Sequence, residues 1–183
     1  MKSNKIFSTK NMVLIALMTA LMCILSPVSL PLPFTPVPIT LAVLIVYFCA
    51  YVLDPISSLI CILLYLLLGL VGLPVFASYR SGLGVILGPT GGYLVGYLFI
   101  AYICSLVFSK FPKNIIYHVL AMTLSVAICL ILGTFWFVFR KEGVTFIQGL
   151  SLCVIPFIPG AIIKIIIAAI AGPEILKRIK KIQ

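Results

Sequence analysis

A lysine in the middle of an apolar run has the most chemistry to offer in this chain. Lys164 follows Pro156-Phe-Ile-Pro-Gly160-Ala161-Ile-Ile and lies many residues from either end of that run. An ammonium inside a membrane-type segment is expensive and faces a cavity or a partner. It would pair with a solute carboxylate or donate to a carbonyl. A second cation, Arg80, stands in a polar, glycine-rich stretch from Gly72 to Tyr93. Its guanidinium has the fork geometry that grips a carboxylate; a solvated loop charge would account for it equally well. Ser78, Tyr79 and Thr90 supply hydroxyls in the same stretch. Gly82, Gly84, Gly88, Gly91 and Gly92 allow a tight backbone, and N–H groups exposed beside a helix start could hold an anion. Backbone without regular hydrogen bonding survives at membrane depth only against protein or a watery cavity. This stretch is therefore where a bound polar solute is expected.

The remaining reactive groups point away from catalysis. The acids are Asp54, Glu142 and Glu174, none in mid-span, so a proton relay through carboxylates lacks its parts. Asp54 and Glu174 stand beside prolines, which reads as helix capping. The only histidine, His118, has no cysteine near it in sequence, and no motif pairs it with a nucleophile. The six cysteines lie in apolar runs without a CxxC, as small packing residues do, and no ligand spacing suggests a metal. No cofactor is expected, and a membrane enzyme is a remote reading. Phosphate-loop signatures are missing, so an ATP-driven step needs another chain.

The elements that must position Lys164 and Arg80 follow from composition. The chain has 183 residues, 63% of them hydrophobic and 9% charged, against about a quarter charged in soluble domains. It reads as an all-α integral membrane protein, a single transmembrane domain. Taking ~20 apolar residues per crossing, six spans are expected at about 11–30, 39–53, 55–70, 88–108, 114–139 and 146–171. The first reads as an uncleaved span, because no small-x-small cleavage site follows it. Asp54-Pro55 is a helix start, and Gly172-Pro173 is expected to stop the last span. A proline-rich connector, Pro31 to Pro38, joins the first two; with Phe34 and Thr35 it is either a lid over the site or a linker. Tyr47, Tyr51 and Tyr93 either line a pocket or pack.

The net charge of +10 does not imply nucleic acid, since no basic face with interleaved aromatics exists. Lys2, Lys5, Lys10, Lys110, Lys113, Lys177, Arg178, Lys180 and Lys181 fall on one side of a six-span topology, and Arg80, Arg140 and Lys141 on the other. The bias places both termini in the cytoplasm and the connector and glycine-rich stretch outside. On the first span, Ala16 and Ala20 lie one turn apart, a small-xxx-small surface that lets another helix approach.

Three motifs carry a resemblance that covers nearly the whole chain. They are Pro33-Phe-Thr-Pro-Val-Pro-Ile-Thr40; Gly72-Leu-Pro-Val-Phe-Ala77 leading to Gly88-Pro-Thr-Gly-Gly-Tyr93; and Pro156-Phe-Ile-Pro-Gly160 with Lys164. The chain resembles the BioY family, the biotin-binding membrane subunits (S components) of energy-coupling factor (ECF) vitamin transporters. The resemblance implies six helices, an outward-facing biotin pocket, and a lid from the loop between the first two helices. It implies that Lys164 contacts biotin and that the Ala16/Ala20 face meets a transmembrane coupling subunit bound to two ATPases. It also implies a prokaryotic plasma membrane. The chain departs from the family's pattern at Ala161, where Asp is usual, at Ala42, where Gln is frequent, and at Tyr79-Arg80-Ser81, normally small and glycine-rich. Biotin is the expected ligand; a biotin relative or another small carboxylate is the alternative that Ala161 raises.

Overall fold

A computed structural model describes residues 8–33, 35–141, 143 and 145–182. Phe34 and Glu142 lie outside them. Among the described residues the chain is mostly helical: α1 (Thr9–Leu25), α2 (Ala42–Val52), α3 (Pro55–Val71), α4 (Leu83–Ile86), α5 (Gly91–Lys110), α6 (Ile115–Arg140), α7 (Phe146–Cys153) and α8 (Phe157–Ile182). An antiparallel hairpin, β1 (Ser29–Leu32) with β2 (Thr35–Thr40), stands between α1 and α2. By length and apolar character α5, α6 and residues 157–179 of α8 suffice to cross a membrane, whereas α1, α2 and α3 are shorter apolar helices.

Local chemistry sets these boundaries. Asp54 caps α3, its carboxylate accepting from the Ser57 N–H at 3.3 Å, with Pro55 in the first turn. Gly72, at φ +116°, ends α3 in the left-handed region that glycine enters freely. On α5, a methyl at Gly92 would strike Trp136 and one at Gly96 would lie 2.5 Å from the Cys129 sulfur. Both glycines let α5 and α6 close to backbone contact.

Four expectations are corrected. The first helix stops at Leu25, not Leu30, because residues 29–32 pair as β1. The proline connector is a hairpin, with Ser29 opposite Thr40 and Leu30 opposite Ile39. Its ladder is irregular between Leu30 and Leu32, at Pro31, which has no N–H to give. The expected sixth span is two helices. α7 has its own capping box, in which Thr145 N–H donates to Gln148 Oε1 (3.0 Å) and Gln148 N–H to Thr145 Oγ1 (3.4 Å). α8 restarts after Pro156 with Pro159 in its first turn, where a missing N–H costs nothing. Finally, Gly172-Pro173 does not stop α8, which runs on to Ile182 with Pro173 inside it. Tyr51 of α2 packs so closely on Gly172 that any side chain there would overlap its ring.

Candidate ligand-binding site

The hairpin and the glycine-rich stretch meet over the ends of α5 and α8 and leave a cavity between them. It contains about 800 Å³ of unfilled space, its mouth included. The hairpin contributes Val37, Pro38 and Thr40, and α2 contributes Val43 from its first turn. Phe76, Ala77 and Val85 come from the stretch after α3. α5 supplies Tyr93, Leu94 and Tyr97; α6 supplies Val126, Cys129 and Leu130; α8 supplies Phe157, Ala161 and Lys164. At ~1.5 Å per residue, Tyr97 and Lys164 both lie about 10 Å into their helices. The walls are largely aliphatic and aromatic, with hydroxyl-bearing residues at Ser26, Thr40, Tyr65, Thr90, Tyr93 and Tyr97 and one cation, half-buried Lys164.

A chain of contacts fixes the wall next to α3. Ser26 and Tyr65 share a hydrogen bond of 2.6 Å, and the Tyr65 hydroxyl lies 3.2 Å from the Val75 carbonyl. The Phe76 ring meets Tyr65 edge-on at 5.6 Å and lies flat against Gly69. Trp136 of α6 donates from Nε1 to the Gly88 carbonyl at 2.9 Å, which anchors the glycine-rich stretch from the other side.

A second, open cleft of about 860 Å³ adjoins the cavity and shares Val85 and Thr90 with it. Arg80 and Tyr79 line this outer cleft, so the two cations serve neighbouring spaces rather than one. Arg80 is exposed.

The structure therefore brings Lys164, Ala161, Thr90 and Tyr93 to the cavity and places Arg80 and Tyr79 beside it. The other candidates lie elsewhere. Ser78 lines neither space. It clips the stretch to the hairpin, its N–H donating to Ser29 Oγ (3.0 Å) and the two hydroxyls bonding at 2.9 Å. Tyr47 is fully buried, and its hydroxyl donates to the Met122 carbonyl at 3.3 Å, holding α2 to α6. Gly91 packs against the Ile86 carbonyl, with no room for a side chain. Gly160 is half-buried at the start of α8, with Ile39 its nearest neighbour at 3.8 Å from a built methyl. Thr35 belongs to β2, its side chain undescribed, and Phe34 lies outside the described residues. Ala16 and Ala20 are exposed on one face of α1.

Sequence reasoning singled out Lys164, Ala161, Thr90 and Tyr93 and missed the other lining residues, among them Tyr97, Thr40 and Phe76. Tyr97 stands four residues after Tyr93, hence on the same helical face, and that spacing was the available signal. Away from the cavity, His118 has both ring nitrogens engaged, Nδ1 with the Tyr51 hydroxyl at 3.2 Å and Nε2 with the Phe111 carbonyl at 3.0 Å. Its partners are a tyrosine hydroxyl and a main-chain carbonyl, with no serine or cysteine among them.

Known proteins share this arrangement over almost its full length. A biotin transporter BioY2 of Lactococcus lactis subsp. cremoris is 34% identical over 177 residues, covering 97% of this chain and 94% of the relative. The biotin transporter BioY of Thermotoga maritima is 34% identical over 165 residues, covering 90% and 92%. A crystal structure of the S-component for biotin from an ECF-type ABC transporter superposes with a TM-score of 0.85 at 27% identity, covering 97% of this chain and 95% of that one. The model of the BioY family matches residues 1–181, so the hairpin, the glycine-rich stretch and the lysine-bearing helix all fall within the match, and the chain belongs to the BioY family.

Proposed function

We propose that this protein is the substrate-binding membrane subunit of a biotin uptake system, taking biotin from the outer face and releasing it to the cytoplasm with an ECF coupling module. The observation that carries the reading is Lys164, a half-buried cation and the only charged residue of a largely apolar cavity whose walls come from all three family motifs. Its named relatives are biotin transporters, and its structural neighbour is an S-component for biotin. In this reading α1, α2, α3, α5, α6 and α8 are the six membrane helices of a multi-pass plasma-membrane protein of a prokaryote. The basic-residue bias supports cytoplasmic termini. The exposed Ala16/Ala20 face of α1 meets the transmembrane coupling subunit, which brings two ATPases; the chain itself is not an enzyme.

One observation favours a second reading. Ala161 lines the cavity one turn before Lys164 with a methyl where the family usually places a carboxylate. A buried donor that loses its acceptor costs about 1–3 kcal/mol, or one to two decades of affinity. A broadened ligand range follows, within the same transport class. Equilibrium binding of biotin to the purified chain, beside an Ala161→Asp variant, separates the two. Tight binding by the unmodified chain supports biotin; binding that appears only with Asp shows that another ligand is natural.

A further inference from the structure

Resting on the biotin reading, we infer that the ligand lies carboxylate-inward, its carboxylate on Lys164 and its ureido ring toward the mouth. The first ground is the charge inventory. Lys164 is the only Lys, Arg, Asp or Glu among the residues lining the cavity. The described acids are committed elsewhere: Asp54 caps α3, and Glu174 pairs with Lys177 at 2.8 Å, the only ion pair among the described residues. A ureido ring is neutral and presents both a carbonyl and N–H groups. A receptor for it needs donor and acceptor side by side, which a lysine with an aspartate one turn earlier would supply. With Ala161 in that place, the helix face presents a bare positive charge.

The second ground is what such a charge requires. An ammonium at this depth without an anion is unfavourable, and the ligand carries one anionic group. A carboxylate on Lys164 makes a charge-assisted hydrogen bond in surroundings where the attraction is stronger than in water. The hydroxyls of Thr40 and Tyr97, also lining the cavity, bond to each other, which leaves one O–H of the pair free to donate to a ligand. Arg80 is a poor competitor. It is exposed in the outer cleft, where an ion pair is worth about fivefold at most. The ring then lies among the aliphatic walls, with Thr90 at the boundary of the two clefts. Recognition shifts from the urea to the acid, so the ligand class widens to monocarboxylates with a compact ring body.

The test titrates biotin, biotinamide and lipoate into the full-length protein and its Lys164→Met, Lys164→Arg and Arg80→Ala variants. Biotinamide keeps the ureido ring and lacks the charge; lipoate keeps the pentanoate and lacks the urea. In the unmodified chain biotinamide should bind about 10- to 150-fold more weakly than biotin, and lipoate should compete with biotin. In Lys164→Met the two biotin compounds should bind alike, at the weaker level, with Lys164→Gln as a second neutral variant. Lys164→Arg and Arg80→Ala should both keep the gap. Ala161→Asp, which supplies an internal partner for Lys164, should narrow it. A gap that survives Lys164→Met, or disappears in Arg80→Ala, overturns the inference in favour of a carboxylate facing outward. Equal binding of biotin and biotinamide by the unmodified chain overturns it as well. If the unmodified chain binds no biotin at all, the biotin reading itself fails, an outcome distinct from tight but indiscriminate binding.

Discussion

A single methyl group at Gly133 should damage ligand binding far more than it damages the fold. Gly133 of α6 faces the ring of Tyr93, which lines the cavity from α5. A methyl built there lies 2.5 Å from Cζ of Tyr93 and closer still to Cε1 and Cδ1. Carbon atoms rest at about 3.5–4.0 Å, so the ring must retreat by roughly 1 Å or more. Tyr93 lines the cavity while its hydroxyl end is buried beside Thr134 of α6 and Cys153 of α7, so the ring is expected to give way toward the cavity. In the empty protein the ring therefore moves at modest cost, partly offset by the helix propensity of alanine, about 0.5–1 kcal/mol over glycine. With ligand bound, ring and methyl compete for the same space, and overpacking of this kind costs about 1–3 kcal/mol. Gly133→Ala should thus raise the biotin Kd about 5- to 150-fold while moving the apo melting temperature little. Calorimetric titration and a thermal melt in the same detergent read the two quantities. Gly160→Ala is the control: its methyl would sit 3.8 Å from Ile39, ordinary contact, and should leave Kd unchanged. An unaltered Kd in Gly133→Ala, with the control also silent, would refute the reasoning that a methyl at Gly133 drives the Tyr93 ring into the ligand's space.

Three further outcomes are expected. Ser29→Ala removes both side-chain bonds that clip Ser78 to the hairpin, each worth about 0.5–1.5 kcal/mol, so biotin should dissociate several-fold faster in a stopped-flow chase with little change in melting temperature. Trp136→Phe deletes the donor to the Gly88 carbonyl, and hydrogen exchange should accelerate across residues 82–90 but not in α3. Tyr79→Gly should stabilise the protein by about 1 kcal/mol, read as a higher melting temperature, because Tyr79 is held at φ +58°.

The membrane character and the cavity's chief cation were legible because lipid imposes simple rules: long apolar runs, and a charge within one only for cause. The hairpin was not. Pro31, Pro36 and Pro38 argue against helix but say nothing of pairing, and a chain that is apolar on every face offers no alternation from which to read a strand. The break between α7 and α8 was half visible, since Pro156 was noted while the Thr145/Gln148 capping box that gives α7 its independence was not. Gly172-Pro173 misled because its local stop signal is overridden by packing: Tyr51 needs a residue without a side chain at that place on a continuing helix. Within the site, Lys164 declared itself by charge, whereas Tyr97 looks like any aromatic in a span until Thr40 and α8 are set beside it. Tyr79 is instructive in another way. Where the family favours small residues and glycine, this chain places a tyrosine in the left-handed conformation that glycine adopts without strain.

The eleven residues of α2 have a consequence for what counts as the protein's interior. A helix of that length rises only about 16 Å, in a hydrocarbon layer of about 30 Å, and most of α2 is buried at the centre of the molecule. In the six-span reading, α2 by itself fills roughly half of that thickness at the middle of the bundle. Beyond its first turn, where Val43 lines the wall, the cavity begins, bordered by the hairpin. The vitamin, once inside, occupies the place that two or three more turns of helix would have taken. It acts as a removable segment of the core, and releasing cargo is, for this fold, a partial loss of its own packing.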